Sequence, residues 1–254
     1  MKLLTLARDL RRRKARERQG LFVAEGVRAV DELLRSRLVV RGVLASRALP
    51  PEARRSVAEA AERRRVPVVE VDDRDFDSAA ETDSPQGVLA VGETPERELD
   101  RLSLPPVARL LVLDALQDPG NVGTILRTAA ALGVSATLAL PGTVDLWNAK
   151  VVRSAMGALF HHQVLDCTWD GLAAFLGRER VALWGADAAG VPPDLAGERP
   201  DRLALVVGNE GAGLSAEARA RAGRLVGLPI APTVESLNVA VATGILLYEL
   251  RPPS

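Results

Sequence analysis

The chain predicts an α/β protein in which a small α/β domain precedes a larger domain with a mostly parallel sheet. Three observations carry this. From Val107 onward short apolar runs alternate with helical patterns, the order expected of a parallel sheet covered on both faces. Glu93 to Pro106 holds three prolines and mixed charges with little periodicity, which reads as a linker. Before it, residues 1–92 form a self-contained set of strand and helix signals.

In the first region, Leu21–Gly26 reads as a strand entering a turn, and Val27–Arg37 as a helix with apolar Val27, Val30, Leu33 and Leu34 on one face. Val39–Leu44 is a second strand, Pro51–Arg65 a helix, Val66–Val71 a third strand and Ser84–Gly92 a fourth. In the second region, 107–254, the strands are Arg109–Leu113, Ser135–Leu140, Gln163–Leu165, Val181–Trp184, Leu203–Val207 and Leu225–Leu228. The helices are Asn121–Leu132, Asn148–Leu159, Asp170–Leu176, Ser215–Ala222 and Ser236–Leu250.

Composition narrows the function classes. Of 254 residues 47% are hydrophobic and 26% charged, so a packed core is expected, but only 3% are aromatic and that core must be Leu, Val and Ala. No apolar run reaches the roughly 20 residues of a membrane helix, and the first residues are too polar for a secretory signal. Cys167 stands alone, which excludes an internal disulfide and a multi-cysteine metal site. A cytoplasmic protein without a metal is the expectation. His161-His162 has no matching ligands nearby and reads as structural or as the rim of a substrate site.

The net charge is zero, which argues against non-specific coating of nucleic acid. Residues 8–18, however, are strongly basic, and lysine occurs only at Lys2, Lys14 and Lys150. Arginine forks suit phosphate, so this segment is a candidate RNA contact; a solvated helix face is the alternative.

Three segments carry the candidate chemistry. Leu205-Val-Val-Gly-Asn-Glu-Gly-Ala-Gly213 is an apolar strand running into a glycine-rich turn. Leu228-Pro-Ile-Ala-Pro-Thr-Val-Glu-Ser-Leu-Asn-Val-Ala240 is a strand end, a proline-broken loop and a helix start. Asp118-Pro-Gly opens the helix that bears Asn121 and Arg127. Ligands of open α/β sheets lie beyond the carboxyl ends of strands, where both late segments fall. The glycine spacing fits neither a dinucleotide fingerprint nor a phosphate loop. Arg127 lies among apolar neighbours and needs a partner, for which Glu210 is a candidate. Ser236 has the usual character of an N-cap; Asn238, two residues further, is harder to explain by capping.

Taken together, Asn121…Arg127, Gly208-Asn-Glu-Gly and Pro229…Ser236-Leu-Asn-Val-Ala resemble the three motifs of the SpoU/TrmH group of RNA ribose methyltransferases, within the SPOUT superfamily. Lys150–Gly157 is similar to a family segment between the first two motifs. Phe22-Val-Ala-Glu-Gly and Ser84-Pro-Gln-Gly-Val resemble the ribosomal-protein-like substrate-binding domain found in many members. Pro232 departs from the pattern, since many members have glycine in that loop.

The resemblance implies a deep trefoil knot, a homodimer and S-adenosylmethionine as cofactor. It places Val207, Gly208, Asn209, Gly213, Leu228, Pro229, Ile230 and Leu237 around that cofactor. Asn121, Arg127, Glu210, Ser236 and Asn238 would form the reactive edge. The implied reaction is 2′-O-methylation of RNA. Large-subunit (23S) ribosomal RNA is favoured over transfer RNA, because members with an N-terminal domain usually act on the former. The rival from another class is a non-catalytic RNA-binding or ribosome-assembly factor.

Overall fold

The computed structural model describes residues 2–252. In chain order its elements begin α1 (Lys2–Asp9), α2 (Arg13–Gln19), β1 (Leu21–Glu25), α3 (Val27–Arg35), β2 (Val40–Ser46), α4 (Pro51–Arg63) and β3 (Val68–Val71). Next come α5 (Asp73–Ala79), β4 (Val88–Glu93), β5 (Ala108–Leu113), α6 (Pro119–Ala131), β6 (Ala136–Ala139), α7 (Ala149–Ser154) and β7 (Val164–Asp166). The chain ends with α8 (Trp169–Glu179), β8 (Ala182–Val191), β9 (Arg202–Val207), α9 (Ala216–Arg221), β10 (Arg224–Val226) and α10 (Val239–Glu249).

Two compact units result. The first holds the chain up to Glu96 together with Trp147–His161; the second holds Arg97–Leu146 and the chain from His162. The α7 segment thus leaves the second unit and packs in the first, where Phe22 of β1 meets Trp147 at 4.5 Å and Phe160 at 5.8 Å between ring centroids.

The sheet of the first unit has the order β1-β4-β2-β3; β4 runs antiparallel to β1 and β2, and β3 parallel to β2. Leu4, Leu10, Val23, Leu44, Phe76 and Leu89 are among its buried residues. Helix α5 was not expected from periodicity because Phe76 is its single large apolar residue. Its start is fixed instead by Asp72, whose carboxylate accepts the Asp75 N–H at 2.8 Å. In the basic N-terminal segment most arginines have intramolecular partners. Arg8 pairs with Asp75 at 2.7 Å, Arg13 with Glu17 at 2.7 Å and Arg12 with Asp9, while buried Arg16 donates to the Leu10 carbonyl at 2.8 Å. Exposed pairs of this kind hold on the order of 1 kcal/mol or less, so those on the surface add little to stability.

The second unit is built on six parallel strands in the order β10-β8-β9-β5-β6-β7. Central strands β5 and β9 are almost wholly buried and read as continuous apolar runs, as a doubly covered parallel sheet requires. Helices α6 and α10 pack side by side, closely enough that a Cβ at Gly244 would lie 3.4 Å from the Thr128 methyl. Buried Arg109 ties the end of α10 to the sheet. Its Nε donates to the Leu250 carbonyl at 2.5 Å and its Nη1 to the Asp201 carbonyl at 2.8 Å. Strand β8 runs seven residues beyond the expected end at Trp184, reaching Val191 beside β10 across a register shift. Among the described residues no helix is long and apolar enough to cross a membrane.

Candidate functional site

At the carboxyl ends of β8, β9 and β10 the backbone folds on itself so tightly that side chains are excluded. A Cβ at Gly208 would stand 2.2 Å from the Gly213 carbonyl carbon, and one at Gly227 would stand 2.4 Å from the Asp187 carbonyl oxygen. Gly213 takes φ +70°, a conformation that suits glycine. The turn after β9 is locked by Asn209. Its Oδ1 accepts the Gly211 and Ala212 N–H groups at 3.0 Å each, and its Nδ2 donates to the Ala115 carbonyl at 2.9 Å.

These turns and α10 enclose a cleft of about 160 Å³. Val207, Gly208, Asn209, Gly213, Leu228, Ile230 and Leu237 line it, as do Glu210 and Ser236; Pro229 is outside its lining. Ala186, Asp187 and Ala188 of β8, Val226 and Gly227, and Val239, Ala242, Thr243 and Leu246 of α10 complete it and went unrecognised in the sequence. The α10 set had a readable signal, the spacing i, i+3, i+4, i+7 of one helix face. The β8 set had none, since Gly185-Ala-Asp-Ala-Ala-Gly190 lacks strand formers. Asp187 is nearly buried and ion-paired with Arg219.

A hydrogen-bond chain joins all three segments. Asn238 Nδ2 donates to Asn121 Oδ1 at 3.0 Å, and Asn121 Nδ2 donates to Glu210 Oε1 at 3.3 Å. Glu210 also accepts the backbone N–H groups of Gln117 at 3.2 Å and Asp118 at 3.0 Å, at the start of α6. Partial burial alone would raise the Glu210 carboxyl, but these donors together outweigh it and hold it below the usual carboxylate range. Glu210 is therefore a poor proton acceptor and a good clamp.

Two expectations need correction. Asn238, not Ser236, caps α10: its Oδ1 accepts the Ala240 and Val241 N–H groups at 2.9 and 3.3 Å. The helix starts at Val239, which leaves Ser236 in the exposed loop on the cleft. Glu210 is not the partner of Arg127, because its oxygens are committed to the start of α6. Arg127 instead projects from the exposed face of α6 with no hydrogen bond or ion pair among the described residues. An exposed guanidinium keeps its hydration and needs no partner; the apolar neighbours Ile125, Leu126 and Ala129 face the other way and are buried.

The histidines part company. His162 is buried, with Nε2 2.8 Å from Thr137 Oγ1, and burial, helped by the charge of Arg97, pushes it down to about 4. Exposed His161 lies 3.7 Å from Glu32. Burial pushes the Cys167 thiol up to about 12, which makes it inert.

A family model described as the SpoU rRNA Methylase family matches residues 108–248, and one described as an MRM3-like substrate binding domain matches residues 5–90. The 23S rRNA (guanosine(2553)-2′-O)-methyltransferase RlmP of Bacillus subtilis is 32% identical over 246 residues, spanning 96% of this chain and 94% of that protein. The SpoU methyltransferase AviRb from Streptomyces viridochromogenes, solved in complex with the cofactor AdoMet, gives a TM-score of 0.88 at 27% identity over 98% of this chain and 97% of that one. An AdoMet-bound rRNA methyltransferase from Sinorhizobium meliloti gives 0.85 at 29% identity, covering 98% and 93%. With the matched model spanning more than half its length, this chain belongs to the SpoU rRNA methylase family.

Proposed function

We propose that this protein transfers a methyl group from S-adenosylmethionine to a ribose 2′-hydroxyl of RNA, in large-subunit ribosomal RNA. The observation that carries the reading is the chain Asn238–Asn121–Glu210, which closes three distant segments beside the cleft, with Arg127 exposed on the same helix as Asn121 and without an ion pair among the described residues.

The cleft suits the cofactor. Its floor is backbone at positions where a Cβ would collide, and its walls include Leu228, Ile230, Leu237 and Leu246. Such a site grips a flat ring by carbonyl and N–H groups between apolar side chains. S-adenosylmethionine supplies a sulfonium methyl that is already a strong electrophile. What remains for the protein is to bring a weak nucleophile into line and help its proton leave, positioning that is worth several kcal/mol. Asn238 and Asn121 hold the starts of α10 and α6 in register. Arg127 orients the ribose or its phosphate with a forked guanidinium, a cation with donors only and no acceptor, so it positions the hydroxyl and does not act as the base. Ser236, in the loop, reaches the same edge.

Three further features belong to this reading. The deep trefoil knot is supported by the backbone crossings at Gly190 and Gly227, where a Cβ would meet another segment's backbone at 2.4 Å. A homodimer is supported by the stripe Val241, Ile245 and Tyr248, which α10 exposes at 52%, 41% and 51%. The region 1–92, joined by 93–106 to a methyltransferase domain 107–254, acts as the RNA-binding part of a cytoplasmic enzyme.

The test is transfer of labelled methyl to unmodified large-subunit RNA, with transfer RNA alongside. Label in an alkali-resistant dinucleotide of the first is expected; label in transfer RNA alone overturns the substrate, and no label in either returns the chain to the non-catalytic reading. Arg127→Ala should lower turnover at least about 100-fold with S-adenosylmethionine affinity intact, and an active variant removes Arg127 from the mechanism.

A further inference from the structure

A second cleft of the methyltransferase unit lies toward the amino-terminal ends of the same strands, β8 and β10. It measures about 720 Å³, and its lining includes Trp169 and Leu172 of α8, Arg180, Trp184 of β8, Arg221 and Arg224. The chain has three tryptophans, and two of them are here. Each ring carries a guanidinium: Arg221 at 5.7 Å from the Trp169 centroid and Arg224 at 5.6 Å from that of Trp184. Arg224 and Trp184 are register partners across β10 and β8, so the sheet itself fixes this stack.

The charge is uneven as well. Three guanidinium groups line the cleft against the single carboxylate of Glu198, in a chain whose net charge is zero. Arg221 shares Glu217 at 2.8 Å and Asp170 at 3.7 Å. Exposed Arg180 and Arg224 have no ion pair among the described residues.

Trp184 is buried and seats Arg224, whereas Trp169 is half-buried. An accessible aromatic face beside unneutralised arginines is what an unpaired nucleic-acid strand requires: bases stack, and forked cations take the phosphates. A duplex keeps its bases paired and stacked inside and has none to offer such a groove. The two clefts sit on the same strands. From Trp184 to Asp187 on β8, and from Arg224 on β10 to Gly227 just beyond it, is three residues, about 10 Å.

We propose that this groove holds an unpaired RNA segment adjoining the nucleotide to be modified, with Trp169 as stacking platform and Arg180 and Arg224 on its phosphates. The proposal rests on the reading of the protein as an RNA methyltransferase. It adds that the methyltransferase unit itself, and not the N-terminal unit alone, grips the substrate.

The test is the anisotropy of a labelled, unstructured oligoribonucleotide of about 12 residues, titrated with the full chain over a range of salt. S-adenosylmethionine affinity and methyl transfer are measured on the same preparations. Trp169→Leu, which keeps apolar bulk, should weaken the oligonucleotide about 5- to 100-fold. The double variant R180E/R224E, on exposed side chains and checked for its far-UV circular dichroism, should also flatten the log–log salt slope by about 1.4, the value for two phosphates on a single strand. Cofactor affinity should not move. Unchanged affinity and slope in both variants overturn the groove, as does wild-type protein that methylates ribosomal RNA but ignores the oligonucleotide; in both cases the enzymatic reading stands. A change in sedimentation without a change in RNA affinity also overturns it and gives the surface to a second copy. Protein that binds no S-adenosylmethionine and transfers no methyl refutes the enzymatic reading, whereas oligonucleotide binding lost in the variants would still uphold the groove.

Discussion

The two clefts of the second unit stand on the same pair of strands and are made of different material. The one at the carboxyl ends is built from backbone: glycines pack segment on segment, and the carboxylates near it, Asp187 and Glu210, are already paired or hydrogen-bonded. The one toward the amino ends is built from large side chains, two tryptophans under arginines, with charge to spare. A pocket of backbone is rigid and fits one small molecule. A groove of side chains tolerates sequence and fits a polymer. The difference teaches that a single parallel sheet can serve two recognition problems, each solved where the required chemistry is cheapest to place.

The sharpest way to break that contrast is Gly208→Ala. The new methyl would sit 2.2 Å from the Gly213 carbonyl, so the turn must move. We expect S-adenosylmethionine binding to vanish in calorimetry, at a stability cost of about 1–3 kcal/mol, while oligonucleotide binding in the groove persists. Cofactor affinity near wild type would show that the backbone does not shape the pocket.

Acid should instead disturb both clefts together, through the sheet they share. His162 has its ring hydrogen-bonded to Thr137 of β6 and is depressed from 6.5 to about 4. Below about pH 6.5 the unfolded chain takes up a proton that the folded one refuses until about pH 4. The stabilisation is thus complete above 6.5 and lost as pH falls toward 4, by on the order of 2–3 kcal/mol. Urea midpoints at pH 7.5 and 4.5 check this: His162→Gln should flatten the difference, and an equally steep profile would remove His162 as its source.

The smallest effect separates cap from network. Asn238→Ala loses the α10 cap and should cost about 1 kcal/mol. Asn238→Asp keeps the accepting oxygen but cannot donate to Asn121, so it should retain stability and lose turnover. Equal losses in thermal denaturation would mean that the contact with Asn121, not the cap, carries the stability.

What the sequence made legible follows from which signals are local. Strands β5 and β9 announce themselves as apolar runs, and α6 by its Asp118-Pro-Gly start. The glycine turn after β9 marked the pocket. The far end of β8 was illegible because its residues are small and the pairing with β10 passes from Gly185 directly to Val191, which meets Val226 across a shifted register. Asn238 was misjudged for a related reason. Which of two polar residues caps a helix depends on the path of the loop before it, and Ser236 and Asn238 are equally able caps on paper. The excursion of Trp147–His161 into the first unit was hidden likewise, since Trp147 and Phe160 read as ordinary core residues until Phe22 is found beside them.

The chain of hydrogen bonds through Asn121 spans sequence separations of 89 residues to Glu210 and 117 to Asn238. Closing loops of that size is slow and comes late. Asn121 and Glu210 can meet without Asn238, but the starts of α6 and α10 are pinned together only when both loops have closed. In a refolding chain the strands and helices can therefore form well before the site does, so recovery of methyl transfer should lag behind recovery of secondary structure.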